Sequence, residues 1–215
     1  MVRNPDATIA DLLDAAARLF VERAYDDLTL SDIAQECGVT KGAIYHHFSS
    51  KEDVFLSMME RQLRRLEEEL RPALSYGAAT PERLGRLTYL YLRKPLGEQR
   101  VIQLVRRDAQ RFHGEKRTRL IRSYQAALPN QIEAILRDGM AAGEVIAADA
   151  QLLARLYAAH VEVYLADYAR AHFDSPVQMA CYVADLFLKG AAVRDCLDCS
   201  PALMPAKAPP QGDLS

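Results

Sequence analysis

The sequence predicts an all-α protein: a small N-terminal three-helix domain followed by a larger helical domain, about nine helices in total. Three observations carry this expectation. Ala, Leu, Arg and Glu dominate the 215 residues, half of which are hydrophobic, and stretches of Val, Ile and Thr in strict alternation are missing. Apolar residues recur at helical spacing through most of the chain. Hydroxyl–acid pairs, glycines and prolines punctuate those segments where helices begin and end. The length suits a small module joined to a larger one.

The first helix is expected from about Ala7 to Ala24, where Ile9, Leu12, Leu13, Ala16, Leu19 and Phe20 form one stripe and Tyr25-Asp26-Asp27 breaks it. Thr29-Leu30-Ser31-Asp32 fits a capping box and starts a short helix to about Cys37. Gly38 supplies permissive backbone for a tight turn. Thr40 caps a second short helix, Lys41 to Phe48, and Ser50 with Asp53 starts a longer one to about Leu74. Thr80 as N-cap before Pro81 marks the next start, and Pro95 and Gly97 end that segment. A helix from Glu98 to about Phe112 carries Val101, Ile102, Val105 and Ala109 inward. The stretch from Lys116 to Ala142 is kinked or divided at Pro129. Asp149 opens a helix to about His172, and Ser175-Pro176 opens the last, to about Val193. Four of the ten prolines fall after Ser200, so residues 196–215 read as a disordered tail.

A net charge of −2 does not announce a nucleic-acid binder. Up to Lys51 there are five basic residues against eight acidic ones. From Cys37 to Lys51, however, no acid occurs, only Lys41, His46, His47 and Lys51, so any DNA binding rests on this small surface. No apolar run reaches the roughly 18 residues of a membrane span, and Met1 to Ala10 lacks a signal peptide's apolar core. A cytoplasmic protein without membrane attachment is expected, with Cys37, Cys181, Cys196 and Cys199 as thiols. No P-loop, no Gly-x-Ser-x-Gly elbow and no paired Glu-x-x-His motif is present, so the reading is a non-enzyme without a cofactor.

Helix, short helix, Gly turn, short helix and long helix follow one another within the first ~75 residues. Two short helices joined by a Gly-containing turn are the helix-turn-helix, whose second helix enters the major groove of DNA. Ile33, Ala34, Val39 and Ile44 hold the pair together. Thr40, Lys41, Gly42 and Ala43 open the second helix, where free N–H groups and the positive dipole end favour phosphate. Lys41 reaches guanine or phosphate, and the small Gly42 and Ala43 let the backbone come close. Tyr45 and His46 suit phosphate or a base edge; for His47 packing and contact stand about even. Thr29 and Lys51, at the flanking helix starts, act as backbone clamps. Adjacent histidines point about 100° apart on a helix and do not easily share a metal ion.

The residues Leu28-Thr29-Leu30-Ser31-Asp32-Ile33-Ala34, Gly38 through Phe48, and Ser50-Lys51-Glu52-Asp53-Val54-Phe55 resemble the DNA-binding segment of TetR/AcrR-type transcriptional regulators. Cys37 stands where that family most often has a small Ala. Gly139, Gly143-Glu144-Val145 and Asp149 also resemble the family's junction between its seventh and eighth helices. The resemblance implies a DNA-binding domain over 1–50 and an effector-binding and dimerisation domain over 51–195. It further implies a ligand cavity enclosed by helices between about Ser50 and Ala142 with the helix after Asp149, and a dimer formed by the last two helices. Leu152, Leu153, Leu156, Ala159, Val163 and Ala166, then Ala180, Ala184, Leu186, Phe187, Leu188 and Gly190-Ala191-Ala192, supply apolar area and close approach for that pairing. Candidate effector contacts are Tyr89, Arg106, Phe112, Tyr124, His160 and Tyr164, which suit a hydrophobic or aromatic ligand with a few polar tips. The expected function is a ligand-released repressor that binds palindromic operator DNA as a homodimer. The alternatives are a thiol- or metal-responsive regulator acting through Cys196 and Cys199, and a helical small-molecule carrier that does not bind DNA.

Overall fold

Thr8 opens the first helix by the capping box that the sequence shows again at Thr29: its hydroxyl accepts from the Asp11 amide while its own amide donates to the Asp11 carboxylate. The computed structural model describes residues 8–75 and 77–191. Among these residues it has twelve α-helices, three short 3₁₀ turns and no strand. Three helices form the headpiece: α1 (Ile9–Glu22), α2 (Leu30–Glu36) and α3 (Lys41–His47). The twenty-residue α4 (Lys51–Leu70) runs from the headpiece into the body. There follow α5 (Thr80–Leu92), α6 (Leu96–Gln99), α7 (Val101–Asp108), α8 (Gly114–Ala127), α9 (Pro129–Ala141), α10 (Ala150–Val163), α11 (Asp167–Arg170) and α12 (Pro176–Ala191). In the body α4 packs on α8, α5 on α12, and α9 on α10. No helix among the described residues is long and apolar enough to cross a membrane.

Several boundaries differ from the sequence expectation for identifiable reasons. The α4 helix gives way at Arg71 to a 3₁₀ turn containing Pro72, because proline has no amide to donate and crowds the preceding turn. The expected helix over 98–112 is two, α6 and α7. Buried Gln99 stands between them, its side-chain amide donating to the carbonyls of Leu92 and Lys94 at the end of α5. Pro129 divides the long stretch outright, with Leu128 at φ −136°, ψ −60° before it. The helix expected to reach His172 stops at Val163. Tyr164 and Leu165 then turn into the core, and Arg170 on α11 donates to Gln99 Oε1 at 2.8 Å. The tail over 196–215, with Cys196 and Cys199, lies outside the described residues.

The start of α5 shows packing overriding local preference. Ala79, not Thr80, is its N-cap residue; the Thr80 side chain is buried, and its amide is capped from far along the chain by Glu144 Oε2 at 2.7 Å. The Thr80 hydrogen bonds hold the Glu144 carboxyl below the usual carboxylate range. Thr80 fits there because Gly139 faces it: a Cβ at 139 would lie 2.2 Å from Thr80 Oγ1 and 3.0 Å from Val145 Cγ2. Gly139→Ala is therefore expected to destabilise the protein by about 1–3 kcal/mol through overpacking, although Ala is the better helix former. Urea denaturation checks this, and unchanged stability would mean that Thr80 moves aside freely.

One apolar core runs unbroken from headpiece to body. At their junction Phe20, Tyr25, Phe55 and Phe112 interlock. Phe55 meets Phe20 edge-on at 4.9 Å and Tyr25 edge-on at 5.4 Å, and stacks on Phe112 at 5.2 Å. Polar groups bind the same seam. Buried Asp108, at the end of α7, accepts from Arg107 Nε at 2.7 Å and Arg111 Nε at 3.2 Å. Those guanidiniums reach the headpiece, Arg107 donating to the Phe20 carbonyl at 3.0 Å and Arg111 pairing with Asp26 at 2.7 Å. Lys116 on α8 adds bonds to Glu52 at 2.7 Å and Asp53 at 3.2 Å at the start of α4.

Candidate nucleic-acid interface

Local chemistry shapes the helix-turn-helix. Thr29 donates to Asp32 Oδ2 from its hydroxyl and its amide, each at 2.7 Å, and accepts from the Asp32 amide at 3.2 Å. These bonds hold the Asp32 carboxyl below its ordinary value. After Cys37, Gly38 takes φ +70°, the left-handed region that glycine enters without penalty. That turn lets the Val39 amide bond back to the Ala34 carbonyl at 3.0 Å and aims the chain into α3. Thr40 caps α3 by accepting from the Ala43 amide at 3.1 Å. Ile33 and Ile44, both fully buried, lock α2 and α3 together.

With Ile44 inward, the opposite face of α3 is left to solvent. Thr40, Lys41, Gly42, Tyr45, His46 and His47 are all exposed, Ala43 is half-buried, and no acid occurs in the helix. Tyr45 is 49% exposed although its ring is apolar, and Lys41 Nζ lies 5.7 Å from its centroid. The His46 and His47 rings touch edge-on at 5.1 Å. A Cβ at Gly42 would meet only Thr40 Oγ1, at 3.9 Å, so no packing within the protein requires glycine there. The face can offer donors, weakly basic rings and free helix-start amides to an anionic surface. His47, for which packing and contact stood even, belongs to this exposed face.

The two flanking clamps fare differently from α3. Thr29 is exposed, but its hydroxyl is engaged in the capping box. The Lys51 ammonium turns inward, donating to the carbonyls of Tyr25 at 2.7 Å and Leu28 at 2.8 Å and lying 4.3 Å from the Tyr25 centroid. One donor remains for any phosphate. Lys51 thus closes the link between α1 and α2 from the start of α4.

The six candidate effector contacts do not converge on one place. Phe112 is buried in the headpiece junction. Tyr89 lines an open groove of about 640 Å³ between α5 and α12, flanked by Arg86 and Arg93. His160 and Tyr164 stack edge-on at 5.5 Å within an aromatic strip that includes Phe187, Phe173 and Tyr182. Burial pulls the His160 imidazole below its ordinary pKa. Arg106 and Tyr124 do come together, around a residue absent from the candidate set. Glu162 has its side chain only 11% exposed and is paired with Arg106 across α7 and α10. Burial, and then the Glu162 charge, raise the Tyr124 phenol. Tyr157, an aromatic that the sequence also offers for lining a cavity, is bonded at 2.6 Å deep in the body to Thr88, which the sequence does not single out. A charge set between Val161 and Val163 was the available signal for Glu162. Among the described residues no cluster of three metal-ligating side chains occurs.

The family model "Bacterial regulatory proteins, tetR family" matches residues 12–58, which span most of α1 and the whole helix-turn-helix, into α4. An uncharacterized HTH-type transcriptional regulator of Bacillus subtilis (strain 168), YwcC, is 32% identical over 100 residues, 42% of this chain and 45% of that one. The match thus spans less than half of this relative's length. The fatty acid metabolism regulator protein of the same organism is 24% identical over 134 residues, covering 62% of this chain and 69% of that protein. Among solved structures, the transcriptional regulator FadR of Bacillus subtilis in complex with stearoyl-CoA superposes with a TM-score of 0.71. It covers 85% of this chain and 99% of that one at 20% identity, and so shares the fold. Residues 12–58 thus match the model of the tetR family of bacterial regulatory proteins, and the body follows the fold of a solved transcriptional regulator.

Proposed function

We propose that this chain is a ligand-responsive repressor that holds a palindromic operator as a homodimer. One observation carries the reading: α3 buries Ile44 and presents an acid-free face of Thr40, Lys41, Gly42, Ala43, Tyr45 and His46. In a two-fold dimer, two such helices about 34–36 Å apart meet successive major grooves. Thr29 and the remaining donor of Lys51 flank the contact. For the partner copy, α10 and α12 leave Leu152, Leu156, Val163, Tyr182 and Leu186 exposed, a face whose burial favours association. Ala180 and Ala184 pack within the chain instead.

The effector we infer is a fatty acyl compound, supported by the name of the fatty acid metabolism regulator and by the stearoyl-CoA complex of the FadR structure. Such a ligand releases DNA only by as much as it prefers a dimer with mismatched recognition helices.

The test is a genomic pull-down at physiological salt comparing the wild type with Lys41→Ala/Tyr45→Ala. Enrichment of a palindromic site near a promoter, lost in the variant, is the expected result. Equal enrichment by both proteins overturns the assignment of α3. Stearoyl-CoA titrated into the recovered protein–operator complex then tests the effector.

A further inference from the structure

Midway along the body, α4 and α8 leave between them a cleft of about 400 Å³, lined by Glu60, Arg64 and Glu67 on one side and Arg119, Arg122 and Ser123 on the other. The two carboxylates are already engaged. Glu60 accepts from Arg119 at 2.8 Å, and Glu67 from Arg71, in the 3₁₀ turn that follows α4, at 3.3 Å. Among the described residues, Arg64 and Arg122 have no carboxylate partner, and both are exposed. Two unneutralised guanidiniums therefore share one concavity with a hydroxyl. Such an arrangement repels itself when empty and is relieved by an anion that takes paired hydrogen bonds from planar forks.

We propose that this cleft binds a phosphate-bearing ligand, anchored by Arg64 and Arg122 with the Ser123 hydroxyl as a further donor. The size suits a phosphate or diphosphate group with a modest appendage. The position has a consequence for the headpiece. Arg64 stands on the helix that begins beside α3, and Arg122 stands on the helix whose Lys116 grips the start of α4. A ligand bridging them fixes α4 against α8, and any preference for one setting of that pair is felt by DNA affinity to the same extent. The diphosphate of a coenzyme A thioester and a free inorganic anion share this chemistry. The site stands on its own residues and does not depend on the acyl reading above.

The experiment is titration calorimetry of the full chain with pyrophosphate, inorganic phosphate and coenzyme A, for the wild type and for Arg64→Gln/Arg122→Gln. Both substitutions lie at exposed positions, and thermal melting confirms that the variant folds. Pyrophosphate or coenzyme A binding that weakens at least tenfold in the variant supports the site, with partial rescue by Arg64→Lys/Arg122→Lys. Binding of inorganic phosphate and pyrophosphate without coenzyme A assigns it to a free anion; coenzyme A binding assigns it to a thioester headgroup. No binding of any probe, or binding unchanged in the variant, overturns the proposal. If stearoyl-CoA fails to release operator while pyrophosphate binding still depends on Arg64 and Arg122, the effector reading falls and the site remains.

Discussion

Replacing Leu156 and Leu186 by glutamate is expected to give a folded monomer that no longer holds its operator. Leu152, Leu156 and Val163 share one stripe of α10 and are 55%, 51% and 63% exposed, and Tyr182 and Leu186 continue the face on α12. Large apolar side chains left this open have little to do within one chain and much to gain against a second copy. Two-fold symmetry counts each substitution twice, so the double variant removes four leucines from the proposed interface. At about 1.5 kcal/mol or more for each buried leucine, the loss is on the order of 6 kcal/mol, before the added cost of facing carboxylates toward one another. A monomer then grips a single half-site and forfeits the effective concentration of the second headpiece, about 10²- to 10⁴-fold in affinity. Sedimentation velocity and fluorescence anisotropy on a palindromic duplex check both halves of this expectation. A variant that still sediments as a dimer would put the interface on another face.

Lys51→Met is expected to lower stability and operator binding together, by a different route from Lys41→Met. Lys51 donates to the Tyr25 and Leu28 carbonyls and sits over the Tyr25 ring. Methionine keeps much of the stem but leaves both carbonyls without that donor. Charge-assisted bonds of this kind contribute about 1.5–3 kcal/mol each at most, and Lys51 is partly solvated, so the net loss is about 2–3 kcal/mol. Among the described residues Lys41 makes no side-chain hydrogen bond or ion pair, only the loose approach to Tyr45, and its replacement should leave the melting temperature unchanged. The salt dependence of operator binding separates the two roles. Removing a phosphate contact lowers the slope of log K against log salt by about one, whereas loosening the headpiece leaves that slope alone. If Lys51→Met lowers the slope with no change in melting temperature, its main work is on DNA after all.

The contrast between these lysines shows what a one-dimensional reading could reach. Both stand at helix starts and carry the same charge, so their positions in the sequence look equivalent. Only the fold brings the Tyr25 and Leu28 carbonyls, more than twenty residues earlier, within reach of Lys51. Phe112 illustrates the same limit: an aromatic residue after a helix suits a ligand cavity, until the chain returns it to Phe55 and Tyr25 at the headpiece seam. Glu162 was passed over because its partner Arg106 lies 56 residues away.

The sequence by itself determined the helical class, the capping box at Thr29, the Gly38 turn, the Thr40 cap, the break at Pro129 and the Asp149 cap. Each depends on bonds between residues two to four apart or on the backbone limits of a single glycine or proline, and such interactions are written in local order. Tertiary structure alone decided that Glu144 caps α5, that Gly139 makes room for Thr80, that Lys51 closes the headpiece and that Arg64 meets Arg122 across a cleft. Those contacts join segments brought together by burial of apolar surface, a force without direction that leaves few marks in the order of residues.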